Sequence, residues 1–188
     1  MMWLFLHFKK ANFMRGIKNM ETIMETKRIR FIRPNERYVA DMMATLNNPE
    51  VSTFVSNRTI DLTYEDEINW IAENQVGYNF SMITKDTEEF IGNCGFNDVD
   101  EKSGVIGIFL NPRFQNIGLG TEAITELIRF GFEDLDLEEI RLVVFSHNER
   151  AIRCYNKLGF REYKREIDIA RRNNQPIDDI YMRLRRWK

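Results

Sequence analysis

The chain has 188 residues, 43% of them hydrophobic, and its 27 basic and 29 acidic side chains leave a formal charge of -2. That length buries one full core and argues against two independent domains. The balanced charge argues against a general nucleic-acid surface or a disordered acidic tail. Cys94, Cys154, His7 and His147 are the only cysteines and histidines and lack ligand spacing, so no disulfide framework or built-in zinc centre is expected. They fit a reducing cytoplasm.

The apolar run Met1 to Leu6 is too short to cross a bilayer, and its lysines follow it, unlike those of a secretory signal. Residues 1–25 therefore read as an extension or an upstream start, with a membrane-touching or partner-binding helix as the alternative, ahead of a domain over 26–188. No catalytic role is assigned there.

Lys27 to Ile32 alternates basic and apolar residues, as a half-buried strand does, and Pro34 ends it. Val39, Met42, Met43 and Leu46 recur at helical spacing up to a stop at Asn47-Asn48-Pro49. Ser52 to Leu62 lacks a period and reads as a loop near a pocket. A second helix begins after Thr63, whose hydroxyl can cap Glu65 or Asp66, and buries Ile68 and Ile71 beside Trp70. Three strands follow over 78–84, 89–96 and 105–110, joined by hairpin turns at Lys85-Asp86-Thr87 and 100–104.

After a glycine-rich turn, Ile124, Leu127, Ile128, Gly131 and Leu135 mark a central helix. Ile140 to Phe145 is a continuously apolar strand, covered on both faces. A short helix from Asn148 to Leu158 ends at Gly159. Strands over 160–168 and 180–184 close the chain around the polar loop 171–176.

The turn Gln115-Asn116-Ile117-Gly118-Leu119-Gly120-Thr121 joins an apolar strand to a helix. Glycines at 118 and 120 let the backbone turn tightly and let a ligand reach its amides. The helix adds unpaired first-turn amides and the positive end of its dipole, a setting for pyrophosphate, and Thr121 adds a hydroxyl. A packing turn without a ligand is the alternative. Neither the lysine of a nucleotide-triphosphate loop nor the three glycines of a dinucleotide fold is present.

In Ser146-His147-Asn148-Glu149-Arg150-Ala151, Asn148 can cap the short helix, bond an amide-bearing ligand, or do both, and Ala151 keeps one face low. Tyr155, about two turns beyond Asn148, is either an aromatic anchor or an acid able to protonate a leaving thiolate. Cys94 has no histidine partner and reads as packing. His147 reads as a loop or cap residue, with ligand contact as the alternative.

Together the two segments resemble the GNAT superfamily of acetyl-coenzyme-A-dependent N-acetyltransferases. Gln115, Gly118 and Gly120 match its Gln/Arg-x-x-Gly-x-Gly/Ala motif, and Asn148, Ala151, Tyr155, Lys157, Gly159 and Phe160 match its later motif. The resemblance covers about 27–184. It implies a single-domain α/β (α+β) fold: a mixed, mostly antiparallel sheet of six to seven strands, about four helices, and central strands splayed at the cofactor site.

The resemblance also implies acetyl-CoA as the donor. Ile108, Phe109 and Leu110 would pair with the pantetheine through their backbone. Gln115, Asn116, Ile117, Gly118, Leu119, Gly120 and Thr121 would hold the pyrophosphate, Asn148 and Ala151 would flank the ligand, and Tyr155 would face the sulfur. The general base is Asp98, Glu67 or water; the glutamate that some relatives carry before the cofactor turn is absent from Gly104-Val105-Ile106-Gly107.

Ile91 to Phe96 resembles the branch holding ribosomal-protein N-terminal and spermidine acetyltransferases. The expected acceptor is a primary amine, a peptide or protein N-terminus ahead of a polyamine, and Asp61, Glu65, Asp66 and Glu67 could form a cation-attracting mouth. Aminoglycoside acetylation and an inactive acyl-CoA-binding regulator are the remaining readings. No nucleic acid or membrane partner is expected, and a homodimer follows from the resemblance.

Overall fold

The computed structural model describes residues 20–56, 61–172 and 175–187. His7 and most of the 1–25 extension lie outside these residues.

Eight strands form one sheet: β1 Thr22–Glu25, β2 Ile29–Ile32, β3 Tyr78–Thr84, β4 Phe90–Val99, β5 Ser103–Leu110, β6 Glu139–Phe145, β7 Arg161–Arg172 and β8 Gln175–Arg185. Their order is β1-β2-β3-β4-β5-β6-β8-β7. Only the β5–β6 pair is parallel. Five α-helices accompany them among the described residues: α1 Val39–Leu46, α2 Pro49–Val55, α3 Tyr64–Glu73, α4 Leu119–Arg129 and α5 Glu149–Lys157.

The mixed, mostly antiparallel α/β architecture agrees with expectation, and the extra elements have local causes. β1 pairs Thr22 with Ile32 and Glu25 with Arg30, so the sheet begins ahead of the expected boundary at 25/26. α2 begins at the Asn48-Pro49 stop and runs on into the segment expected as a loop over 52–62: Pro49 occupies its first turn and Asn48 accepts a hydrogen bond from the Glu50 amide. Proline fits there because first-turn amides have no intrahelical partner. β7 and β8 run on through much of the segment expected as the 171–176 loop, pairing Arg171 with Pro176 and Arg172 with Gln175.

Residues alternate between the two sheet faces and so build two cores. Phe31 and Ile32, adjacent on β2, enter different clusters. One cluster packs under α4 and α5 through Leu119, Ala123, Ile124, Leu127 and Tyr155. The other packs under α1 and α3 through Val39, Met42 and Ile71. Burying a leucine or isoleucine such as Leu127 or Ile124 contributes about 1.5–3 kcal/mol.

Two helix termini position the site. Thr63 and Asp66 form a reciprocal capping box at the start of α3, which fixes the direction of the acidic first turn. α4 does not run on to Leu135 as its apolar pattern suggested: it ends at Arg129, and Phe130–Asp134 forms a π-helical turn. A methyl group at Gly131 would lie 2.7 Å from Phe96 and 2.9 Å from Ile140, so this turn presses directly on the sheet.

Candidate active site

β5 and β6 share only three register pairs, Ser103 with Glu139, Gly104 with Ile140 and Val105 with Arg141. Beyond them Ile106–Leu110 pair only with β4, and Leu142–Phe145 only with β8. The two facing edges therefore carry backbone groups without a ladder partner, which need another one. The gap between them opens into a cleft of about 830 Å³. It is lined by α1, α2 and α3 on one sheet face and by α4 and α5 on the other. Its volume is that of a small-molecule site.

On the α4–α5 side the glycine turn forms the wall. Asn116 has φ +62° and Gly118 φ +86°. Such left-handed steps turn successive amides toward one concavity. No side chain caps α4, and the backbone N–H groups of Ile117 through Thr121 donate to no acceptor among the described residues. Five unpaired donors at the positive end of a helix make an anion cradle. Among the described residues a methyl group at Gly120 would meet only Leu110, at 3.6 Å, so none of them requires this residue to lack a side chain. Arg28 holds the turn from outside, donating to the Ile117 carbonyl at 2.9 Å and to Glu122 Oε2 at 2.7 Å.

Most of the expected site residues meet in this cleft. Ile108, Phe109, Leu110, Gln115, Asn116, Gly118, Gly120, Thr121, Asn148, Ala151 and Tyr155 all line it. Ile117 and Leu119 do not: the Ile117 side chain is exposed and that of Leu119 is buried in the core, so each can contribute only its amide. Gln115 donates from Nε2 to the Leu110 carbonyl at 2.9 Å. Asn148 caps α5 by accepting the Ala151 amide at 3.2 Å through Oδ1, and its Nδ2 has no acceptor among the described residues.

Tyr155 is buried against Phe160 with ring centroids 5.9 Å apart, and its hydroxyl makes no hydrogen bond among the described residues. Burial, with a smaller contribution from Cys154, pushes its phenol above the ordinary value and keeps it protonated. Cys154 lies nearby, its Sγ 3.3 Å from Thr121 Oγ1. Cys94 is buried in the core, as expected, and burial pushes its thiol well above the ordinary value.

On the α1–α3 side Glu67 is 4% exposed and lines the cleft, and its carboxylate has no hydrogen bond or ion pair to another described residue. Burial first, and Asp66 second, raise its pKa. Asp66 also lines the cleft but serves the cap, where Thr63 holds its carboxyl below the ordinary range. Asp98 pairs with Val105 across the β4–β5 ladder, is exposed, and lies outside the lining, as do Asp61 and Glu65. The acidic mouth is therefore narrower than expected.

Three residues here carry more than sequence reasoning gave them. Arg150 lines the cleft and donates from Nη1 to Gln115 Oε1 at 2.7 Å and to Asn116 Oδ1 at 3.3 Å, with no carboxylate partner among the described residues. Asn93 is a buried polar residue in the lining whose Oδ1 accepts from Ser81 Oγ at 2.9 Å. A polar residue between Gly92 and Cys94 was its available signal. His147 stacks on Phe54 of α2 at 5.1 Å and on Phe145 of β6 at 5.7 Å, and its Nε2 lies 3.2 Å from the Thr53 carbonyl. It ties α2 to the end of β6.

Residues 28–161 match the model of the acetyltransferase (GNAT) domain. An uncharacterized N-acetyltransferase, p20 of Bacillus licheniformis, is 34% identical over 124 residues; the match spans 65% of this chain and 64% of that protein, just under two thirds of its length. The Escherichia coli K12 spermidine N(1)-acetyltransferase is 42% identical over 53 residues, 28% of each chain. Among solved structures, a GNAT-family acetyltransferase from Bacillus anthracis superposes with a TM-score of 0.76 at 20% identity, covering 86% of this chain and 97% of that one. The Vibrio cholerae spermidine N-acetyltransferase, in complex with CoA and spermine, gives a TM-score of 0.76 at 16% identity over 85% and 96% of the two chains. No group of three or more potential metal-ligating side chains occurs among the described residues, and no helix among them is long and apolar enough to cross a membrane.

Proposed function

Because the chain belongs to the acetyltransferase (GNAT) family, we propose that it carries an acetyl group from acetyl-CoA to the free amine of a peptide or protein N-terminus. The unpaired amides of 117–121, opening onto the splayed edges of β5 and β6, are the observation that carries this reading. Acetyl-CoA supplies the acetyl group as a thioester. The amide cradle and Arg150 match its phosphates, and the free edge at Ile108–Leu110 matches its amides.

Glu67 Oε, with its raised pKa, takes the proton of the entering ammonium and leaves a neutral amine. Holding amine and acyl group in one cleft makes the encounter effectively unimolecular. Tyr155 Oη would hold a proton at the sulfur end: as the amine nitrogen bonds to the acyl carbon and the carbon–sulfur bond breaks, that proton goes to the sulfur, which leaves as a thiol, and the proton then shed by the nitrogen restores the phenol. A polyamine is the second reading, supported by Glu50, Asp66 and Glu67 in the lining and by the spermidine-acetylating relatives.

Tyr155→Phe should lower kcat about 10²–10⁴-fold while acetyl-CoA binding is retained. Unchanged turnover and an unchanged pH profile in a folded variant would remove Tyr155 from this role.

A further inference from the structure

The α1–α3 end of the cleft has a composition of its own. Leu46, Val51, Phe54, Leu62 and Trp70 supply apolar wall from three helices and the segment between α2 and α3. Phe54 does not hang free: the His147 ring lies on it at 5.1 Å, 26° from parallel. A wall fixed in this way keeps an apolar pocket open instead of collapsing into it.

The charges at this end are sparse. Asp66 spends Oδ2 on the Thr63 amide and hydroxyl, at 2.8 and 2.6 Å. Glu50 is exposed, where an ion pair contributes little. Glu67 remains as the single buried carboxylate in the lining. A polyamine brings two or more cationic centres separated by methylenes, and each one taken out of water needs its own buried partner. One buried carboxylate beside an apolar wall suits one ammonium beside one apolar group.

Asn93 adds a directional element. With Oδ1 occupied by the Ser81 hydroxyl, its Nδ2 is left to donate, and no described residue accepts from it. A donor of that kind matches a carbonyl oxygen, which an N-terminal residue carries and a polyamine lacks.

Resting on the N-terminal reading above, we infer that the acceptor is a peptide whose first residue has a bulky apolar side chain. Its α-amine faces Glu67, its side chain lies against Phe54 and Trp70, and its carbonyl faces Asn93. Small or charged first residues are poor acceptors.

The experiment measures kcat/KM at saturating acetyl-CoA for tetrapeptides that differ only in their first residue, with spermidine as a separate acceptor. Leu, Phe and Met at the first position should exceed Ala, Ser and Asp by about tenfold or more. Phe54→Ala and Trp70→Ala should each shrink the Leu-to-Ala ratio, and acetyl-CoA affinity reports whether each variant is folded. Phe54→Leu, nearer in volume, should keep most of the ratio.

Equal or better turnover of Ser- and Ala-peptides overturns this inference and leaves the N-terminal reading standing. Turnover of spermidine without any peptide, or of no peptide at all, overturns both. A Leu-to-Ala ratio that both alanine variants leave intact in folded protein removes the α2–α3 wall as its source.

Discussion

Arg150 Nη1 sits 2.7 Å from Gln115 Oε1, while Gln115 Nε2 donates 2.9 Å away to the Leu110 carbonyl, so one glutamine ties the first turn of α5 to the end of β5. The neutral partners leave the guanidinium charge uncompensated at the rim of an anion cradle. Arg150→Ala should raise the KM for acetyl-CoA about tenfold or more with little change in kcat, because a charge-assisted hydrogen bond to bound phosphate is worth about 1.5–3 kcal/mol. Arg150→Lys should recover part of the loss, as a point charge without the planar fork. Salt should raise the wild-type KM more steeply than that of the alanine variant. Titration of acetyl-CoA by calorimetry together with initial rates separates these effects.

The two glycines of the turn should respond to alanine in opposite ways. At Gly118 the backbone has φ +86° and a methyl group would lie 3.3 Å from Arg28 Nη2. Gly118→Ala should therefore cost about 1–2 kcal/mol and lower Tm by roughly 2–8 °C. At Gly120 the first atom met is 3.6 Å away, and alanine is the better helix former. Gly120→Ala should leave Tm unchanged or slightly higher and acetyl-CoA binding little changed, because the motif takes Gly or Ala at this position and the added methyl meets only ordinary contact. A fall in Tm comparable to that of Gly118→Ala would mean that the residue serves packing.

The contrast marks how much was legible from residues alone. Gln115, Gly118, Asn148 and Tyr155 belong to local motifs whose chemistry depends on spacing along one strand, turn or helix, and these meet in one cleft. The proposed acceptor end draws on separate places in the chain, and no local pattern joins Glu67 on α3 to Asn93 on β4 or Phe54 on α2 to His147. Asp98 and Glu67 are equivalent candidates by type, and burial and a place in the cleft lining separate them. Thr22–Glu25 escaped notice because a four-residue edge strand has almost no period of its own. The break at Phe130 was hidden because Leu135 continues the apolar spacing of α4 after the geometry has changed.

The two cysteines offer a readout of ligand binding that does not depend on turnover. Both cysteines line the cleft, but Cys154 is partly exposed, whereas Cys94 is 4% exposed and burial holds its thiol protonated. Since the thiolate is the reactive form, an alkylating reagent should modify Cys154 and spare Cys94 in the folded protein. Coenzyme A should slow that modification about 100-fold when present at 100 times its Kd. Peptide mapping by mass spectrometry identifies the modified residue, and labelling of Cys154 that ignores coenzyme A would place the ligand path elsewhere.

In its proposed role as the base, Glu67 links activity and stability with opposite signs. Its pKa in the folded protein is raised, mainly by burial, so the folded state holds this proton more tightly than the unfolded chain does. As pH rises from the unfolded carboxyl value, near 4.3, through the folded one, the unfolded chain ionises first and stability falls. Above the folded value the loss stays constant, so at neutral pH the ionised side chain weakens the fold. Glu67→Gln removes that charge at similar volume and should raise Tm at pH 7, by about 2–4 °C per kcal/mol recovered, with the gain vanishing below pH 4. The same substitution should lower kcat/KM at least about tenfold and abolish an acidic limb lying above the ordinary carboxylate range in the wild-type profile. Thermal melts at pH 4 and pH 7, paired with the rate profile, test both halves. A variant that gains stability and keeps full activity would leave Glu67 as a buried charge without a part in proton transfer.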